Sequence, residues 1–186
     1  MLTCSSNRIE HFKAFENLIN NKQFSDVRLT VQNREIFAHK LVLSANSAVF
    51  AAMFQHKMLE NEENIVKIDD ISYNTLNVLL HFIYTGECKL SEDIVIDLFK
   101  AADKYELMKL KNICEEELCR SISVNNVIAL LQLADLHSAE NLKKEAIELI
   151  AVQGKDIIDR PDFDVLINFN TKLLKQVFQG IFATRS

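Results

Sequence analysis

The chain has 186 residues, of which 48% are hydrophobic and 25% charged, with three glycines and one proline. That is enough to bury a sizeable core in one ordinary domain or two small ones, and too few turn residues for an all-β design, so helix should dominate. The net charge is −5, with scattered basic residues and a single basic doublet, Lys143-Lys144. A phosphate backbone needs a concentrated positive face, so direct nucleic-acid binding is not expected.

The N-terminal "MLTCSSNRIEHF" lacks the apolar run of a signal peptide, and no stretch reaches the roughly 18 apolar residues of a membrane span. A nuclear or cytoplasmic location without membrane contact is the expectation. The cysteines, Cys4, Cys88, Cys114 and Cys119, form no CxxC and read as reduced thiols rather than a zinc site.

The first element is "RIEHFKAFENLIN", where Ile9, Phe12, Phe15, Leu18 and Ile19 recur at three- and four-residue steps, the pattern of an amphipathic helix. Its apolar stripe either packs on its own domain or faces a second copy across a two-fold axis. "DVRLTV" then alternates, "QNRE" breaks the pattern and "IFAH" follows, which predicts a β-hairpin. From His39 to Phe54 the spacing is helical, with Leu41, Val42, Ala45, Val49, Phe50 and Met53 expected inward and Ser47 as an N-cap dividing two helices. "NIVKI" predicts a third strand. "SYNTLNVLLHFIYTG" predicts a buried helix opened by Ser72 and stopped by Gly86.

The second half contains a repeat with a shift of 32 positions: Ser91 matches Ser123, Val95 Val127, Leu98 Leu130, Ala102 Ala134, Asp103 Asp135, Leu110 Leu142 and Lys111 Lys143. Each unit reads as a serine-capped helix, a short connection, and a second helix starting near Leu107 or Glu140. Stacked hairpins of this kind bury one another's apolar faces. "FDVLINF" and "TKLLKQVFQGIF" continue in helix after a break at Pro161. The best boundary lies between Ser121 and Ser123, giving an α+β domain over 1–120 and a helical extension over 121–186.

Candidate chemistry is sparse. Asp26 and His39 flank the hairpin and could form a relay, but no nucleophile turn accompanies them, and a buried aspartate satisfied by neighbouring donors accounts for the pair. Asp69-Asp70 reads as a strand-to-helix turn. The glycines stand alone, so no phosphate-cradling loop exists. Neither an enzyme nor a cofactor is expected. A different oddity is "FQHKMLENEENIVKI", which sets the apolar pair Met58-Leu59 at the edge of an acidic stretch.

The ordered residues "FSDVRLTVQNREIFAHKLVLSANSAVFAAMF", then "FIYTGE", then "AADKYELMKLKNICEEEL" resemble a BTB (POZ) domain followed by BACK-type helices. The likeness runs over about residues 8 to 182. It is greatest to the speckle-type POZ group, through "MFQHKMLENEENIVKIDDI" and "LADLHSAENLKKEAI". The resemblance implies an α+β BTB/POZ fold, with a small sheet of three or more strands covered by helical hairpins, then an all-helical BACK-like extension. It implies a homodimer with Ile9, Phe12, Phe15, Leu18 and Val42 at the interface, and Asp26 and Lys40 as a charged pair near the two-fold axis.

It also implies recruitment of cullin-3, the scaffold of a RING ubiquitin ligase, through Met58, Leu59 and Glu60, with Tyr105 among the cullin-binding positions. Met58 would be an apolar anchor and Glu60 would fix the loop or meet a basic residue. Phe178 falls where an aromatic residue serves a second self-contact. Two different two-fold interfaces on one chain generate open filaments. The MATH domain of speckle-type proteins and the propeller of kelch-type relatives are not read in this sequence, so the chain is expected to be an excised assembly half or a short form that pairs with related BTB proteins. A BTB scaffold holding co-repressor peptides is the alternative.

Overall fold

The computed structural model describes residues 15–55, 64–169 and 171–183. The chain divides into two compact units, Met1–Lys111 and Asn112–Ser186. The fold is α+β.

In the first unit, Phe15 and Glu16 are helical and lead through a turn into β1 (Val27–Val31) and β2 (Arg34–Ala38). The strands pair antiparallel with Leu29 opposite Ile36. Val27, Leu29 and Val31 are buried in alternation, as the pattern predicts. Gln32 and Asn33 both adopt positive φ, 51° and 61°, so the connection is a two-residue turn rather than the four-residue break expected from "QNRE". β3 (Ile65–Lys67) runs parallel to β1 on its other side, giving the order β2-β1-β3.

Two short helices follow the hairpin, α1 (Lys40–Asn46) and α2 (Ala48–Gln55). Leu43 and Phe50 are their buried residues. Leu41 is 80% exposed and Ala45 is also outward, against expectation. Seven residues of helix make barely two turns, too few for apolar spacing to fix which face is inside.

Ser47 is the joint. Its hydroxyl accepts the Phe50 N–H at 3.2 Å, which caps α2, and donates to the Tyr105 carbonyl at 2.7 Å. Tyr105 in turn stacks on Phe50, with 4.8 Å between ring centroids. α3 (Tyr73–Thr85) opens on Ser72, whose hydroxyl accepts the Thr75 N–H, and closes on Gly86 at φ 75°, a left-handed cap that favours glycine.

The repeat is present in three dimensions, with α4 (Val95–Lys104) and α5 (Met108–Arg120) matched by α6 (Val127–Leu136) and α7 (Glu140–Ile157). The connecting turns each carry one residue of positive φ, Glu106 at 54° and Ser138 at 52°, at matched positions. Each unit also has the same ion pair, Asp103–Lys111 at 2.6 Å and Asp135–Lys143 at 2.7 Å, with the lysine nearly buried. The serine caps are not made by the serine side chains. α4 and α6 start four residues later, and the Ser91 and Ser123 carbonyls accept the Val95 and Val127 N–H groups.

The second unit packs α6, α7, α8 (Pro161–Phe169) and α9 (Thr171–Ala183) around Leu131, Ile150, Phe163, Leu166, Leu173 and Val177. Pro161 is the first residue of α8, where its missing N–H costs nothing. A Cβ at Gly180 would collide with Ile147, so glycine lets α9 approach α7.

Two outcomes follow from this packing. Ser47→Ala removes a helix cap and leaves the buried Tyr105 carbonyl without its donor, so urea denaturation should show a loss of about 2 kcal/mol. Asp103→Ala should destabilise more than Lys111→Met, because the first leaves a nearly buried ammonium without its carboxylate and the second removes the charge altogether. Equal losses in the two variants would mean that the pair acts as packing alone.

Candidate protein-interaction surfaces

The polar groups singled out in the sequence are occupied in holding the chain together. The Asp26 carboxylate accepts the Lys40 backbone N–H at 2.7 Å. It therefore caps α1 from across the hairpin, since the residue before that helix, His39, gives no side-chain cap. His39 turns instead to Tyr84: its backbone N–H donates to the phenol oxygen at 3.0 Å, and its Nδ1 lies 2.9 Å from the same atom. Burial, with the Asp26 carboxylate adding to it, pushes the Tyr84 hydroxyl up to about 12. Asp26 and His39 thus have separate partners, and no relay links them. Asp69 pairs with Lys67 and Asp70 with Lys104. Among the described residues, no three His, Cys, Asp or Glu side chains converge as metal ligands would.

Lys40, expected beside Asp26 near a two-fold axis, also has contacts of its own within the chain. The Lys40 ammonium donates to Asn64 Oδ1 at 2.6 Å and lies 5.7 Å from the Phe54 ring centroid. Phe54 lies one residue before Gln55, the last position ahead of the stretch 56–63, and Asn64 is the first after it. Lys40 therefore reaches both roots of the stretch that carries Met58, Leu59 and Glu60. Those three residues lie outside the described residues, as do Ile9 and Phe12 of the expected dimer stripe.

The remaining positions vary in accessibility. Phe15 is 43% exposed, while Leu18 and Val42 are half-buried. Tyr105, grouped by resemblance with the cullin-contacting positions, is 1% exposed. Burial first, and the Asp70 charge second, hold its hydroxyl far above the usual phenol range. It supports α2 from within, through Phe50 and Ser47. Phe178 is 49% exposed, and Phe182, one turn further along α9, is 68% exposed.

Leu41 and Phe182 are exposed apolar residues that the sequence pattern did not mark as surface, as are Phe24, Leu136 and Val152. For Phe182 the signal was available, as the i, i+4 partner of Phe178. In the second unit a cavity of about 360 Å³ is lined by Lys143, Lys144, Ile147, Glu148 and Gln176. Its lysines are engaged with Asp135 and Glu148, so it assembles no reactive pair.

Comparison with known proteins agrees with this architecture. The BTB/POZ domain model matches residues 15–122. The mouse "TD and POZ domain-containing protein 1" is 37% identical over 163 residues, covering 87% of this chain and 45% of that protein, so the chain spans under half the length of this relative. Two solved structures share the fold at 24% identity. The BTB domain of human gigaxonin has a TM-score of 0.52, covering 62% of this chain and 94% of that one. The BTB domain of zebrafish PATZ1 has a TM-score of 0.54, covering 65% and 98%. With the three-stranded sheet and its helical hairpins, these matches establish that the chain belongs to the BTB/POZ domain family, whose members are generally non-enzymatic scaffolds for self-association and adaptor assembly.

Proposed function

We propose that this chain is the assembly half of a ubiquitin-ligase adaptor of the speckle-type kind, pairing with a second copy and recruiting the N-terminal domain of cullin-3. The observation that carries the reading is the run Met58-Leu59-Glu60 between α2 and β3 of a BTB fold. An apolar anchor beside acidic residues suits an interface with one buried hot spot and a polar surround. Lys40, bonded to Asn64 and lying against Phe54, supports the two roots of that stretch. Tyr105 and Ser47 hold α2, which leads into it.

Dimerisation in this reading uses Ile9, Phe12, Phe15, Leu18 and Val42. The exposure of Phe15 supports it, and Leu41 adds an apolar side chain on α1. The region 121–186 acts as a BACK-like extension. Phe178, joined by Phe182, serves a second self-contact that links dimers into open chains. The name of the mouse relative sets a TD domain beside its POZ domain. Substrate binding then belongs to a domain of that kind, and the same fold could equally pair with longer relatives.

Calorimetric titration with the cullin-3 N-terminal domain tests the site. Met58→Asp should lose more than about 2 kcal/mol, roughly thirtyfold in affinity, while remaining a dimer, and Glu60→Lys should also weaken binding. If the unmodified chain does not bind, the reading falls, and the dimer groove as a holder of co-repressor peptides becomes the better one. Light scattering tests the second contact. The mass should grow with concentration in the unmodified chain and stay at that of a dimer in Phe178→Asp. A constant dimer mass in both excludes filaments.

A further inference from the structure

We propose that His81 is a proton-operated latch that fixes the segment bearing Phe15 and Leu18 to the first unit and thereby sets how tightly two copies pair. The pairing half of this statement rests on the dimer reading above. The imidazole of His81 sits between three groups. Its Nδ1 is 2.8 Å from the Glu87 carbonyl oxygen and 3.2 Å from the Thr85 hydroxyl. A carbonyl can only accept. The Thr85 hydroxyl proton goes to the His81 carbonyl at 2.7 Å, and its oxygen accepts the Glu87 N–H at 3.1 Å. Toward the ring, the hydroxyl is therefore an acceptor too. Nδ1 keeps its proton in both charge states, and Nε2 is the nitrogen that gains or loses one.

Nε2 faces Glu16 Oε1 at 3.4 Å. With the ring neutral, this contact sets a nitrogen lone pair against a carboxylate. With the ring protonated, it becomes an N–H donor and a positive charge facing the same carboxylate. Proton uptake thus turns a repelling contact into an attracting one. Among the described residues Glu16 is the charged side chain set against the ring, and Thr85 and the Glu87 carbonyl, from the end of α3 and the turn after it, supply uncharged acceptors.

The position of Glu16 gives the contact leverage. The segment is tied at Asn20, whose N–H donates to the Phe37 carbonyl and whose side-chain oxygen accepts the Phe37 N–H, both at 3.1 Å. Glu16 lies about one helical turn earlier. A second tie there fixes the direction of the segment as well as its place, so less freedom is lost when a second copy docks on Phe15 and Leu18.

The test uses the full chain between about pH 5.5 and pH 8.5. It combines nitrogen NMR of the His81 ring, amide exchange across Leu18, Ile19 and Asn21, and sedimentation equilibrium. The Nε2 resonance should report protonation while Nδ1 stays protonated. Exchange protection, corrected for intrinsic rates, should rise about two- to fivefold on acidification, and the dimer Kd should fall by a similar factor. Glu16→Gln, a change at an exposed side chain, should remove both responses. His81→Asn, which keeps a donor toward Glu87, should do the same. Loss of the Nδ1 proton, or a pH response that persists in Glu16→Gln, overturns the latch. Responsive protection in a chain that is monomeric throughout supports the latch and removes the dimer reading, whereas responsive protection with a pH-independent dimer Kd overturns the coupling.

Discussion

The hydroxyl of Ser47 is the point on which the first unit depends. It has one proton and two lone pairs, and the structure uses the proton on the Tyr105 carbonyl and a lone pair on the Phe50 N–H. That atom starts α2 and ties it to a residue 58 positions away, while the backbone N–H of the same serine ends α1 on the Leu43 carbonyl. The Tyr105 ring then covers Phe50 from the other side. An apolar residue at 47 would leave a buried carbonyl unsatisfied. The same joint sets where α2 begins.

The repeat shows how one packing solution serves twice and then diverges. Both copies place a lysine from the second helix against an aspartate near the end of the first, and both lysines are largely removed from water. A lysine stem covers apolar surface while its ammonium finds a carboxylate, so one residue both packs and fixes register. The copies differ at Glu115 and its counterpart Ile147. Glu115 is buried, and its carboxylate accepts the N–H groups of Asn141 and Leu142, capping α7. Ile147 instead meets Gly180 of α9. A further trace of the repeat is the kink in α7 at Gln153, the counterpart of Ser121, where the first copy leaves its helix.

Elements fixed by local chemistry were legible in the sequence. Ser72 and Gly86 bound α3, Ser47 divides α1 from α2, and the alternation of β1 gives its buried face, because each depends on one side chain or on a period of two. The 32-residue shift disclosed the helical hairpins because two copies carry the same signal. What escaped depended on partners far along the chain. Leu41 faces out because Leu43 meets the core, a choice that a two-turn helix leaves open. Lys40 reaches Asn64 and Phe54 on either side of the stretch 56–63, which no local pattern announces. Tyr105 was legible as part of a family motif but not as core, since its burial comes from Ser47 and Phe50. The expected interface was visible as a pattern in Ile9, Phe12, Met58, Leu59 and Glu60, whose placement lies outside the described residues.

The way polar groups are used bears on function by itself. The polar side chains that the sequence singled out, among the described residues, are bonded to the chain itself. Asp26 caps a helix, His39 and Tyr84 bond each other, Asp70 pairs with Lys104, and Ser47 joins two elements. Apolar side chains stand at the surface in several separate places, among them Phe15, Phe24 and Leu41 in the first unit and Leu136, Val152, Phe178 and Phe182 in the second. Scattered single apolar residues are ordinary on a protein surface, but an aromatic pair one helical turn apart, as Phe178 and Phe182 are, is the raw material of docking. A fold that spends these hydrogen-bonding groups on its own geometry, and still leaves apolar side chains such as Phe178 and Phe182 at its surface, has what a scaffold needs to hold other proteins.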